Sequence, residues 1–487
     1  MSRKSRPYLF YDTTSALCNE CQRVVEAKIL IKSEQVYLEK WCPSHGTQRV
    51  LIADDAQYYR ACREVFVKPP EMPERFNTAM QYGCPFDCGL CPDHMQHSCL
   101  ALVEITDNCN LRCPVCFADS GPHRLQHKSF EVIERMLDAV VRNEGTADVV
   151  QLSGGEPTLH PEFFRIVDAA RARPIRHLMV NTNGIRIAKD REFVAQLARY
   201  NQAFEVYLQF DSLREEPLRE LRGADLRDIH ERALAHLNEF GISTTLVMTV
   251  KKGVNDQQIG EVIDFAQTQP CVRGVTLQPI QHAGRVEQYD AAEHRLTVSE
   301  LRRRIGEQSS TFSKADIVPV PCNPDTLAMG YALKVGNQVL PLTRFIDPET
   351  LVEGARNTIT FEHDPELKRR VFQLFSTDKS PEAQASCLAE LLCCLPKIEA
   401  PPTLAYNNVF RVLIVQFMDV LSLDIRALKK SCIHIAQPDG RMIPFESFNL
   451  FYRDENVRKL EVLRAEIAAA TRTRSLQPLS VSARVPS

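Results

Sequence analysis

Between residues 100 and 280, short apolar runs alternate with amphipathic stretches, and the alternation repeats six times. The runs are ALVEIT (101–106), DVVQLS (148–153), HLMVNT (177–182), FEVYLQF (204–210), STTLVMTV (243–250) and GVTLQP (274–279). Each is largely apolar rather than alternating, as in parallel strands covered on both faces. Segments such as SFEVIERMLDAVVRNEG (129–145), PEFFRIVDAARAR (161–173) and LRDIHERALAHLNEFG (226–241) space their apolar residues as helices do, and the last ends in Gly241, a C-terminal cap. Six such units in succession predict an α/β fold with a parallel sheet, doubly wound or an incomplete barrel, whose ligands meet the C-terminal strand ends.

A chain of 487 residues exceeds one hydrophobic core, so two to four domains are expected. Residues 1–75 carry CNEC (Cys18, Cys21) and CPSH (Cys42, His45) around the stretch KILIKSEQVYLEKW, which reads as two metal knuckles on a small β-rich module. The Pro-rich break VKPPEMPERF leads to a cysteine-bearing segment at 76–100 and the β–α region at 101–310. A mixed α+β domain at 311–472 and a disordered tail at 473–487 complete the expected organisation. With 25% charged residues and a formal net charge of -3, nothing marks a nucleic-acid-binding surface. The longest apolar run, VFRVLIVQFMDVL (409–421), is broken by Arg411, Gln416 and Asp419, is too short to cross a bilayer, and reads as a buried helix. A cytoplasmic protein is expected, with peripheral membrane contact left open.

Seventeen cysteines crowd toward the first quarter of the chain. In a long cytosolic chain such pairs point to metal or iron–sulfur ligation, not disulfides. Within residues 84–116 the spacing Cys-x3-Cys-x2-Cys occurs twice, as Cys84, Cys88, Cys91 and as Cys109, Cys113, Cys116. Three thiolates so spaced can hold three irons of a [4Fe–4S] cube and leave the fourth open; zinc uses the same ligands, and spacing alone does not choose. The second copy directly follows ALVEIT, at the ligand-binding end of the sheet. At the next strand end, LSGGEP offers Gly154 and Gly155 for close backbone approach and Glu156 to receive an ammonium group. At the third, NTNG offers Asn183 as a hydrogen-bonding group or a turn residue. Cys18, Cys21, Cys42 and His45 form a four-ligand set for a mononuclear zinc or a rubredoxin-like iron. Cys62, Cys271, Cys387, Cys393 and Cys394 read as small core hydrophobes.

The second cysteine triplet, the adjacent Phe117 and the GGEP motif together resemble the radical S-adenosylmethionine (SAM) enzymes. The resemblance implies a (β/α)6 partial TIM barrel and a [4Fe–4S] cluster on Cys109, Cys113 and Cys116 whose open iron SAM chelates. Cleavage of SAM would give a 5′-deoxyadenosyl radical, with electrons from a flavodoxin or ferredoxin-type donor. By the same analogy Gly154, Gly155 and Glu156 meet the methionine amino group, while Asn183, Gln209, Asp211 and Ser212 line the ribose or carboxylate region. Arg222 lies where some relatives place an arginine near SAM, or is an exposed helix-end residue. Cys84, Cys88 and Cys91 then become candidates for an auxiliary cluster, with Cys99, His94, Cys322 or Cys432 as a further ligand.

The N-terminal knuckles, CPFDCGLCPDH, LQPIQHAGR (277–285) and SCIHIAQPDGRMIPFESFNLFYR narrow the likeness to the tetraether lipid synthase and pterin-linked methylase group. That likeness implies carbon–carbon bond formation on lipid alkyl chains, with methylation by a methylene-tetrahydrofolate-derived carbon as the alternative. A non-catalytic iron–sulfur or zinc protein is the reading from another class. His282 and Arg285 are expected to face substrate or the SAM carboxylate, or to belong to a fixed loop. Some relatives carry a cysteine in the IPF-x-x-(F/Y)-N stretch, which here reads Glu446 and Ser447.

Overall fold

The computed structural model describes residues 6–335, 338–354 and 408–475. Strands β1 (Leu9–Leu17), β2 (Val24–Lys32), β3 (Gln35–Cys42) and β4 (Gly46–Ala53) form an antiparallel meander in sequence order. Along β2 every second residue turns inward, so Ala27 and Ile29 pack with Val36, Leu38 and, from the helix Ala56–Glu64, Tyr59.

The main sheet has twelve strands. Its centre comprises β5 (Leu100–Thr106), β7 (Ala147–Gly154), β8 (Ile175–Thr182), β9 (Phe204–Gln209), β10 (Thr244–Val250) and β11 (Val272–Pro279), all six expected from the sequence. They pair in parallel and in chain order. The short β6 (Val115–Cys116) and β12 (Arg285–Val286) form a separate antiparallel pair above them. The later strands are β13 (Val318–Pro319), β14 (Leu327–Val335), β15 (Gln338–Pro341), β16 (Val409–Val415), β17 (Ile433–Ala436) and β18 (Met442–Pro444). Strand β16 runs parallel to β11 and β17 parallel to β5, so the region read as a C-terminal domain extends the same sheet at both edges.

The run 409–421 is thus not the helix its apolarity suggested. Its first seven residues are β16, with Phe410, Val412 and Ile414 on the buried face; the β-branched Val409, Val412, Ile414 and Val415 favour a pleated strand over a helix. The expected tail at 473–487 lies mostly outside the described residues. No helix among the described residues is long and apolar enough to cross a membrane.

The two faces of the sheet bury different partners. Val103, Val150, Val180 and Val206 meet the helices Phe130–Glu144, Phe163–Arg171 and Arg227–Glu239. On the other face Leu102, Val149, Met179 and Tyr207 join one cluster with Met329 of β14 and Ile433 of β17. Six strands separate β14 from β5 in the sheet order, so the sheet curves until its inner face meets itself. A narrow apolar cavity runs within, lined by side chains from β5, β7, β8, β9, β11, β14 and β16.

Candidate active site and metal centres

The loop that leaves β5 at Thr106 carries Cys109, Cys113 and Cys116, all on the wall of one cavity at the C-terminal strand ends. The next strand end braces this loop through backbone alone: Gly155 N–H donates to Thr106 O at 2.7 Å and Glu156 N–H to Asn108 O at 2.8 Å. A Cβ on Gly155 would stand 2.2 Å from Asn108 O, so the motif needs glycine for close approach. Gly154 has the same need and adds a φ of 117°. The Glu156 carboxylate is saturated, accepting from Thr158 N–H (3.2 Å), Thr158 Oγ1 (2.7 Å), Thr182 Oγ1 (2.8 Å) and Asn183 N–H (2.8 Å). Burial pushes its pKa up, against these donors. It ties the second and third strand ends together. Asn183 combines both its expected characters: Oδ1 accepts from Ile185 N–H at 3.1 Å, and Nδ2 donates to Asn110 Oδ1 at 2.7 Å beside the Cys109 sulfur.

Arg222 is no exposed helix end. Its side chain is 12% exposed, lines the cavity, and donates to both carboxylate oxygens of Asp211, to Gln209 Oε1 (2.7 Å) and to Thr249 Oγ1 (3.1 Å). Gln209 shares the wall. Asp211 and Ser212 stand behind it: Asp211 pairs with Arg222, and Ser212 Oγ donates to Gln258 at 2.5 Å. Arg285 also departs from expectation. Its guanidinium donates to Cys113 O (2.6 Å), Asp119 Oδ1 (2.7 Å) and Ser120 O (2.7 Å), so it clamps the cysteine loop and has no fork left for a ligand. His282 is placed by its backbone N–H on Asp419 Oδ2 at 3.2 Å. Phe117 lies edge-on to Phe445 at 4.9 Å.

Burial raises the Cys113 thiol and pushes Cys109 up to about 12, an environment that disfavours bare thiolates and suits sulfur bound to cationic iron. Among the described residues no fourth thiol and no imidazole lines this cavity. The donor set therefore fits a cluster held by three protein ligands with one position free.

Residues 103–266 match the radical SAM superfamily. This part of the chain is a radical SAM domain. Residues 10–54 match the HMPTM N-terminal zinc ribbon domain. The radical SAM chain is 29% identical, over 92% of its own length and 95% of the relative's, to 7,8-dihydro-6-hydroxymethylpterin dimethyltransferase of Methanocaldococcus jannaschii. It is 30% identical, over 34% of its length and 50% of the relative's, to GTP 3′,8-cyclase of Haemophilus influenzae. Streptococcus suis SuiB bound to S-adenosylmethionine aligns over 40% of this chain and 45% of that one, at 22% identity and a TM-score of 0.35. None of these relatives is named for lipid chemistry, and the methylase alternative fits them better than lipid coupling.

The remaining cysteines of this radical SAM protein separate into three groups. In the zinc ribbon, Cys18, Cys21, Cys42 and His45 bring their ligand atoms within 4.8 Å of one another, with His45 Nδ1 3.4 Å from both Cys18 and Cys42 sulfurs. Burial raises the Cys18 thiol, but the backbone N–H groups of Cys21 and Glu20 and the neighbouring thiols outweigh it and bring the pKa down to about 6. Cys99, Cys322 and Cys432 form a second convergent group, fully buried, with Cys322 and Cys432 sulfurs 3.2 Å apart. The sequence offered these as separate extra ligands for Cys84, Cys88 and Cys91; the fold joins them to each other. Cys84, Cys88 and Cys91 do not converge to single-ion distance. Their loop is held by Tyr452, which accepts from Cys88 N–H and donates to Phe86 O, both at 2.9 Å. His94 lies with Nε2 2.9 Å from Ser431 O and 3.1 Å from His434 Nε2. Cys62 and Cys271 are buried as expected, and Cys387, Cys393 and Cys394 lie outside the described residues. Sequence reasoning named Arg285 and Glu446 but found neither the clamp the first makes on the cysteine loop nor the place of the second on the cavity wall.

Proposed function

We propose that this radical SAM protein methylates a reduced pterin, using a carbon derived from methylene-tetrahydrofolate. The observation that carries the reading is the likeness to a pterin dimethyltransferase along 92% of the chain, far beyond the superfamily-matched residues 103–266. Lipid coupling has no comparable support.

In this reading the curved sheet is a partial barrel, and Cys109, Cys113 and Cys116 hold its [4Fe–4S] cluster with Phe117 alongside. A [4Fe–4S] cluster and SAM held there by Cys109, Cys113 and Cys116 would supply radical chemistry able to take hydrogen from an unactivated position. The chain's own residues shape the place where this happens. Gly154 and Gly155 let backbone approach the cofactor, and because the Glu156 carboxylate is saturated, an ammonium group there meets backbone carbonyls. Asn183, Gln209 and Arg222 border the ribose and carboxylate region, with Asp211 and Ser212 acting behind them as supports. Cys84, Cys88 and Cys91 are candidates for an auxiliary cluster. Cys99, Cys322 and Cys432 are candidates for another metal centre, and Cys18, Cys21, Cys42 and His45 for zinc. A flavodoxin or ferredoxin-type donor in the cytoplasm would reduce the protein.

The test is anaerobic reconstitution, reduction with dithionite, and incubation with SAM, 7,8-dihydro-6-hydroxymethylpterin and 13C-methylene-tetrahydrofolate. The expected products are 5′-deoxyadenosine and a pterin carrying labelled methyl. An unchanged pterin, beside joined alkyl chains formed from a lipid supplied in parallel, would refute the reading.

A further inference from the structure

Apart from its cysteines, the cavity above the sheet has three ionisable side chains on its wall among the described residues: Glu156, Arg222 and Glu446. The first two are satisfied within the protein, Glu156 by four donors and Arg222 by Asp211. Glu446 differs. It is 3% exposed, and the Ser431 hydroxyl donates to its Oε2 at 2.9 Å; no other side chain donates to it, and no cation pairs with it, among the described residues. An acid withdrawn from water so far, met only by the Ser431 hydroxyl and its own backbone N–H, is costly unless something else meets it. Burial accordingly pushes its pKa up to about 7.

The neighbours of this carboxyl define the shape of what could meet it. Phe445 stacks on Phe417 with ring centroids 3.8 Å apart and meets Phe117 edge-on, giving the cavity an aromatic wall. That wall reaches Phe117, the residue next to Cys116. A flat heteroaromatic ring along these phenyl groups would bring its edge toward Glu446 and its substituents toward the cysteine loop. A pterin carries the complementary edge. Its 2-amino group and N3–H are two parallel donors, spaced like the two oxygens of a carboxylate.

We propose that Glu446 determines substrate specificity here by accepting both N–H groups of the 2-amino-4-oxopyrimidine edge, with the ring lying along the Phe445 and Phe417 wall. The inference rests on the pterin reading above and assigns its recognition to one residue. Ser431 is a positioning residue that fixes the carboxyl rotamer.

Binding to the reconstituted protein is measured by quenching of pterin fluorescence, with 7,8-dihydro-6-hydroxymethylpterin and its 2-oxo counterpart, whose C2 oxygen faces the carboxylate with an acceptor. The wild-type protein should prefer the 2-amino ring by roughly 10- to 100-fold, as for hydrogen bonds to a charged group. Glu446→Gln, which replaces one acceptor by a donor, should lose most of that preference, with iron content per chain reporting that the variant is assembled. Equal affinity of the wild-type protein for both rings overturns the proposal even if the variant does not fold. A variant that keeps the preference overturns it too. If the wild-type protein methylates the pterin yet shows either result, only the role of Glu446 falls; if it neither binds nor methylates pterin, the functional reading falls with it.

Discussion

Gly155→Ala adds one methyl group at the point where the second strand end meets the cysteine loop. The new Cβ would lie 2.2 Å from Asn108 O, 2.6 Å from Asn108 C and 3.0 Å from Asp107 O, all backbone atoms that cannot rotate away. An ordinary carbon–oxygen contact is about 3.3 Å, so residues 107 and 108 must retreat by about 1 Å. That movement breaks the Glu156 N–H to Asn108 O bond and carries Cys109 with it. Overpacking costs about 1–3 kcal/mol and the lost hydrogen bond about 1 kcal/mol, together about 2–4 kcal/mol. Spread over the loop, the shift should leave the fold intact but misplace the first cluster ligand, and a 1 Å displacement at a reacting centre costs on the order of 100-fold in rate. The assay is 5′-deoxyadenosine formation per iron cluster after reduction with dithionite, beside thermal unfolding. Gly241→Ala is the control: at φ 63° with open space around its Cβ, it should cost about 1 kcal/mol and leave 5′-deoxyadenosine formation at the wild-type rate. Wild-type turnover and unfolding midpoint in Gly155→Ala would refute the argument that close backbone contact positions the cluster.

Asp419→Ala should destabilise by about 3–5 kcal/mol in urea unfolding, because Arg295, 5% exposed in its side chain, would lose both 2.5 Å contacts and stay charged in the interior. His230 stacks on Phe210, neither ring nitrogen has a hydrogen-bond partner among the described residues, and burial lowers its pKa to about 4. The unfolded chain, with an ordinary histidine pKa near 6.5, binds that proton more readily, so stability falls as pH drops from about 6.5 to 4. Between pH 7 and 5 this should remove about 2 kcal/mol from the wild-type protein, a loss absent from His230→Phe when the two are compared by chemical denaturation. Chelation of the zinc ribbon, or Cys42→Ala, should lower the unfolding temperature of residues 6–64 while iron bound at Cys109, Cys113 and Cys116 remains, as read by metal analysis.

The six central strands were legible because burial on both faces leaves a continuous apolar signature, and the cysteine loop because metal ligation requires particular residues at fixed spacing. Run 409–421 was misread since a short apolar segment carries no period that separates a buried strand from a buried helix. Asp211 and Ser212 were assigned to the ligand by analogy, yet a strand-end residue can face the cavity or support it from behind, and only the Arg222 network decides which.

By itself the chain's sequence determined the six parallel strands, the four N-terminal residues Cys18, Cys21, Cys42 and His45 that converge in the fold, and the spacing of the two cysteine triplets. Tertiary structure alone joined Cys99 to Cys322 and Cys432, turned Arg285 into a clamp, and set Glu446 against the aromatic wall. The division has one physical cause. Strand periodicity and metal spacing act between near neighbours in the chain, whereas those three arrangements depend on β16 and β17 pairing with β11 and β5 and on β12 pairing with β6, contacts between segments more than a hundred residues apart whose register no local pattern encodes.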